Sequence, residues 1–171
     1  MAGYVIHLAV AEQYINKHKK DIESYEEFIN GVIFPDDVSD KSTTHYGPKS
    51  SKVNLKDFFD NNELDNSFIK GYCLHLITDY LFYNKFLEFF SKEIYNDYDI
   101  LNKKLIERYN VKIPHKIKDR VYYHEGKLKI LDYDKIIDFI EKASEYRIED
   151  VREEVLNNNK YWLTFKNLHK E

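Results

Sequence analysis

The sequence predicts an all-α fold in a single domain, and three observations carry that prediction. Apolar residues recur at helical spacing along nearly the whole chain. Glycine and proline are scarce, 5 and 3 in 171 residues, which argues against a turn-rich sandwich or barrel. The chain has the length of one domain, and 43% hydrophobic with 33% charged residues suits a globular core. We read residues 1–171 as one unit, with a candidate metal-site half over 1–95 and a helical C-terminal half over 96–171.

The elements follow in order. Val5, Leu8, Ala9 and Ile15 give a core face to a first helix from Gly3 to Lys19. A short helix over Tyr25–Val32 follows, with Ser24 as its N-cap. Pro35 ends it and opens a polar stretch to Asn54 that has no period, the kind of long loop that is usually functional or disordered. Asn54 caps a short helix over Leu55–Phe59. The strongest segment runs from Ser67 to about Tyr95, capped by Asp65 or Asn66. It is apolar on most of its circumference, which places it centrally. Ile100–Tyr109, Lys116–Tyr123, Asp132–Ala143, Ile148–Asn157 and Lys160–Leu168 complete the helical reading. A small β-hairpin is expected near 122–131, where HEGKLKIL alternates briefly after a turn signal.

Composition excludes several function classes. A formal charge of −4 gives no strongly basic surface, so nucleic acid is not the expected partner. One cysteine, Cys73, allows neither a disulfide framework nor a cysteine zinc finger, and it reads as a small buried hydrophobe. No segment has the length and apolarity of a transmembrane helix. The start MAGYVIHLAVAEQY lacks a basic region and is interrupted by Glu12, so the expectation is a cytoplasmic protein. There is no phosphate-binding glycine loop, no G-x-S-x-G elbow and no H-E-x-x-H.

The chemistry-bearing residues are histidines and aspartates in unexpected surroundings. His75 and Asp79 stand four apart, on one face of the central helix. An ionised aspartate there must be paired or bound to a metal, because an isolated buried charge is very costly. His7 lies in the apolar run YVIHLAVA. Asp36, Asp37 and His45 lie in the long loop. Histidine and carboxylate are standard zinc ligands, and His7, Asp36, His45, His75 and Asp79 form a set able to close around one or two ions. Each taken alone also has a plain role, as core histidine, turn aspartate or surface loop residue. Lys41, Lys49 and Lys52 are candidates for neutralising phosphate charge, and Tyr46, Tyr72 and Tyr83 for lining a pocket.

His7, G-V-I-F-P-D at Gly31–Asp36, H-Y at His45–Tyr46 and G-Y-C-L-H-L-I-T-D at Gly71–Asp79 occur in that order. In this the chain resembles the zinc-dependent phospholipase C family, whose fold is shared with single-strand-specific zinc nucleases. The resemblance spans about half the chain. It implies a mostly helical fold and a zinc cluster acting on a phosphodiester or phosphomonoester, with phospholipid as the implied partner. It implies one ion held by Asp36, His45, His75 and Asp79, with Asp37 as the alternative to Asp36. Asp79 would bridge to a second ion that also takes His7. A histidine expected near position 85 is replaced by Lys85, so the resemblance implies one or two ions and not three. Zinc would activate water as the nucleophile, and Asp36 or Asp37 would orient or deprotonate it. The competing reading is a non-catalytic helical module in which the same residues hold a structural metal or a buried polar network.

Overall fold

The computed structural model describes residues 2–170. Helix α1 (Tyr4–Lys17) and helix α5 (Ser67–Leu81) are the two central elements, because both are apolar around most of their surface. Tyr4 to Ala11 and Gly71 to Leu81 are buried without interruption. Helix α2 (Tyr25–Ile33) starts at Ser24, whose side chain accepts the Glu27 amide as expected for an N-cap. Asn54 caps helix α4 (Leu55–Asn61) through the Asp57 amide. At α5 it is Asn66, not Asp65, that caps, through the Ile69 amide.

Helices α2 and α5 touch backbone to backbone. A Cβ at Gly31 would stand 2.0 Å from the Phe68 carbonyl oxygen, and one at Gly71 2.0 Å from that of Phe28. Only glycine permits this approach. It brings the Val32 carbonyl within 2.6 Å of His75 Nδ1, one turn beyond Gly71.

The stretch expected as a loop from Pro35 to Asn54 is more structured than its composition suggests. It contains helix α3 (Lys41–His45), capped by Asp40 through the Ser42 amide. The helix expected to reach Tyr95 stops earlier. It widens into a π turn at Phe82–Phe86, and Leu87 is extended. Asn84 then serves as a cross-link: its side chain donates to the Tyr80 carbonyl and accepts the Lys166 amide. Helix α6 (Ile94–Tyr109) begins six residues before the expected Ile100, where Ser91 accepts the amides of Glu93 and Ile94.

Helices α6 and α7 (Tyr133–Ala143) cover α1, and α8 (Ile148–Leu156) closes against α4 and α5. The expected helix over Lys116–Tyr123 is a 3₁₀ stretch, His115–Arg120. The hairpin expected near 122–131 does not form. Buried Asp97 takes the amides of Lys129, Ile130 and Leu131 at 3.0, 2.7 and 2.8 Å. The His124 amide goes to the Asp99 carbonyl, so these donors serve no ladder. The only strand pairing among the described residues is parallel, between β1 (Phe89–Phe90) and β2 (His169–Lys170). The helix expected over Lys160–Leu168 is one 3₁₀ turn, Lys160–Trp162. This tail is fastened to α5 by the Tyr80 hydroxyl, which accepts the Thr164 amide, and by fully buried Trp162. One hydrophobic cluster runs from Ala2 to Trp162 through both halves. Among the described residues no helix is long and apolar enough to cross a membrane.

Candidate metal centre

Four side chains from three segments converge under α1. Asp36 comes from the short 3₁₀ turn Phe34–Asp36 that Pro35 starts after α2. His45 comes from the end of α3, and His75 and Asp79 from successive turns of α5. One donor atom from each lies within 4.8 Å of all the others, and all four side chains are fully buried.

The histidine tautomers are set by the backbone. His45 Nδ1 lies 2.8 Å from the Lys41 carbonyl and His75 Nδ1 lies 2.6 Å from that of Val32. A carbonyl oxygen only accepts, so both Nδ1 atoms carry the proton. In the neutral rings each Nε2 is therefore a lone pair aimed at the carboxylates. His45 Nε2 stands 3.1 Å from Asp79 Oδ2 and 3.5 Å from Asp36 Oδ1. His75 Nε2 stands 3.2 Å from Asp79 Oδ2 and 3.6 Å from Asp36 Oδ2. Lone pairs facing anionic oxygens at these distances need a proton or a metal ion between them.

The spacing fits a metal ion. Donors about 2.0–2.1 Å from a tetrahedral ion stand about 3.3–3.4 Å apart, and the four histidine-to-carboxylate separations bracket that value, although Asp36 meets the two histidines with different oxygens. His75 Nε2 and both Asp36 oxygens are buried without a hydrogen-bond partner. Such groups are rare in folded proteins and point to an ion or a proton that satisfies them. Backbone carbonyls holding the Nδ1–H groups are the usual outer shell of a metal-bound imidazole.

Protons are the metal's competitors here. Burial pushes the His75 imidazolium down, but Asp36 and Asp79 outweigh it and raise its pKa to about 10. Burial pushes Asp36 and Asp79 up, but nearby histidines win and hold both well below the usual carboxylate range. His7 moves the other way: burial, and then His75, lower its pKa.

His7 is beside the four, not among them. Its Nε2 donates to Asp79 Oδ1 at 3.0 Å, and its ring stacks on His75 at 3.7 Å and 6°. The Ala2 amide also donates to Asp79 Oδ1, at 3.3 Å. Asp79 thus gives one oxygen to His45 and His75 and the other to His7. Of the adjacent aspartates, Asp36 faces the cluster. Asp37 is turned to Arg120 at 2.6 Å and Lys116 at 3.1 Å.

The remaining expected residues scatter. Lys49 lines a cleft of about 430 Å³ that also takes in Lys41 and Tyr83. Tyr72 spends its hydroxyl on the Thr44 carbonyl and packs its ring on Phe34 and Phe58. Tyr46 packs on Phe58, and its hydroxyl accepts from Asn62. Both tyrosines therefore brace α3 and α4, while Tyr83 is the one at the cleft. Sequence reasoning missed the carbonyls of Val32 and Lys41, which carry no side-chain signal. It also missed Tyr4, whose hydroxyl donates to the Asp36 carbonyl, and Arg120, whose guanidinium reaches both Tyr4 and Asp37. Comparison with protein-family models, curated proteins and solved structures gives no match.

Proposed function

We propose that the chain is a metal-dependent phosphoric ester hydrolase, with zinc as the ion. The observation that supports it most is the convergence of two backbone-fixed imidazole lone pairs and two buried carboxylates on one point. Asp36, His45, His75 and Asp79 would hold the first ion. Asp79 Oδ1 and His7 Nε2 are the donors for a second, once the proton on that nitrogen is given up. When bound, such an ion supplies Lewis acidity and activates water for attack on phosphorus. The chain's own residues do the rest. Lys41, whose ammonium is 3.8 Å from Asp36 Oδ1, brings positive charge to the edge of the cluster. The Tyr4 and Arg120 bonds fix the turn that presents Asp36. Asp36 would orient the water, and Asp37 would act as a positioning residue through its ion pairs. A cytoplasmic location and a small phosphate ester or phospholipid partner belong to the same reading.

One observation favours a second reading. All four donor side chains are fully buried, which suits a closed structural site as well as a catalytic one. Under it the chain is a non-catalytic helical module. The experiment is elemental mass spectrometry on wild type and His75→Ala, followed by a phosphomonoester and phosphodiester screen of the loaded protein. We expect one or two zinc ions per chain, lost in the variant, with turnover that disappears alongside them. Stoichiometric zinc without turnover of any ester would favour the structural-metal reading, and no metal would overturn both metal readings and leave a non-catalytic module with a buried polar network.

A further inference from the structure

The four donor side chains are fully buried, so an ion reaches them only if something beside them moves. Of the groups that hydrogen-bond or ion-pair with those side chains, Ala2, His7, Val32 and Thr44 are buried, whereas the Lys41 side chain is 38% exposed. The Lys41 ammonium stands 3.8 Å from Asp36 Oδ1, the oxygen that also lies 3.5 Å from His45 Nε2. It thus spans the distance from the cluster to solvent.

Lys41 also lines the cleft of about 430 Å³, together with Ser51, Tyr83 and Tyr95. Tyr83 is buried. Burial pushes its hydroxyl up, and the charges of Asp79, Tyr95 and Asp36 add to that push. Two residues of the cleft wall are therefore within electrostatic reach of the cluster's carboxylates, which places the cleft at the cluster's outer side.

Lys41 is able to move without disturbing a ligand. It is the first residue of α3, and the next two, Ser42 and Thr43, are exposed. Its carbonyl holds His45 Nδ1 at 2.8 Å. The backbone thus belongs to the site, while the four-carbon stem that carries the charge is flexible. An ammonium and a divalent ion on one carboxylate oxygen repel each other strongly where water does not screen them. The ammonium has to yield.

We propose that the cleft is the passage by which a divalent cation reaches the buried cluster, and that Lys41 is its gate. Without the ion, the ammonium pairs with Asp36 and closes the inner end. With it, the ammonium turns out into the cleft while the Lys41 carbonyl stays on His45. The gate rests on the metal centre but not on phosphoester chemistry, so zinc alone is the probe.

Transfer of zinc from a chromophoric chelator to metal-stripped protein, followed by stopped flow, gives the loading rate, and excess chelator gives the stripping rate. Only zinc that His75→Ala fails to bind is counted. Lys41→Met should load about tenfold faster and bind more tightly, because the competing charge is gone. Lys41→Gln takes its place should it fold poorly. Lys41→Arg keeps the charge and should load at about the wild-type rate. Lys49→Met removes a charge from the exposed rim of the same cleft and should also behave as wild type. A bulky maleimide on Ser51→Cys, in the cleft wall, tests the passage itself; Cys73 is fully buried and does not compete for the label. The label should slow loading and stripping by the same factor and leave the affinity unchanged. Lys41→Met loading at the wild-type rate, or Lys49→Met loading as fast as Lys41→Met, would overturn the gate. Rates indifferent to the label would overturn the passage. No zinc bound by any of the proteins would remove the metal centre and the gate together, whereas bound zinc with unchanged rates would remove this proposal alone.

Discussion

Replacing Gly71 by alanine tests whether the contact between α2 and α5 builds the metal centre. The added methyl would stand 2.0 Å from the Phe28 carbonyl oxygen and 3.0 Å from the Val32 amide. Ordinary contact begins at about 3.4 Å, so the helices must part by more than 1 Å there, an extreme case of overpacking. Two consequences follow. Stability falls by about 3 kcal/mol or more, which for a chain of this size lowers the melting temperature by about 6–12 °C. The Val32 carbonyl also leaves His75 Nδ1, now 2.6 Å away, and an outer-shell loss of that kind weakens metal binding about 10–100-fold. Thermal melts and zinc titration of Gly71→Ala, Gly31→Ala and the double variant are the assay. The double variant should lose much less than the sum of the singles, because the second methyl enters a gap the first has opened. Additive losses, or a Gly71→Ala protein that keeps its zinc affinity, would refute the idea that one glycine-to-glycine contact sets the position of His75.

Three further outcomes are expected. Chelation should lower the melting temperature of wild type by about 5–10 °C, since ligand at a hundred times its Kd contributes about 2.7 kcal/mol; His75→Ala should melt the same with and without chelator, and a wild type equally indifferent would show that no ion holds the cluster. Asp37→Asn should lose no more than about 1 kcal/mol of stability, because its partners Arg120 and Lys116 are more than half exposed, and should bind zinc more weakly than wild type without losing it, whereas Asp36→Asn should lose the ion. Because Asp36 and Asp79 raise the metal-free His75 pKa to about 10, His75 is protonated at pH 8 and must release that proton to ligate. Apparent zinc affinity should therefore rise with pH toward that value and fall on acidification. Calorimetry at pH 8 in buffers of different ionisation enthalpy should show proton release, and heats independent of the buffer would contradict it.

The helices that sequence reasoning located carry an apolar face; α2, α4, α5 and α7 also have a side-chain cap, whereas α1 and α8 do not. Ser24 and Asn54 mark their helices because a short polar side chain before an apolar run has one economical use. Helix α3 escaped because it is five residues of Lys, Ser, Thr and His with no apolar period; Asp40 was its one local signal. The end of α5 escaped for the opposite reason. Phe82, Tyr83 and Leu87 are all buried although the helix has ended, so hydrophobicity continues where the hydrogen-bond pattern does not. The hairpin failed because Asp97, more than thirty residues upstream, claims the amides of 129–131. No local pattern encodes that competition.

The candidate site was legible to the extent that its residues are costly anywhere else. A histidine and an aspartate four apart in an apolar helix demand a partner, and so does His7. What the residues could not disclose is how the second pair of donors is held. His75 and Asp79 are aligned by the helix itself. Asp36 and His45 sit on a segment with little helix of its own, and it is held from outside. The Tyr4 hydroxyl holds the Asp36 carbonyl, the Thr44 hydroxyl holds the Pro35 carbonyl, and Arg120 and Lys116 hold Asp37. Arg120 and Lys116 belong to the C-terminal half, which carries none of the four donors. Division of the chain into a metal half and a helical half therefore breaks down at this point. The second half is the clamp that closes the turn from Pro35 to Asp37, and metal affinity should depend on it even though it supplies no ligand.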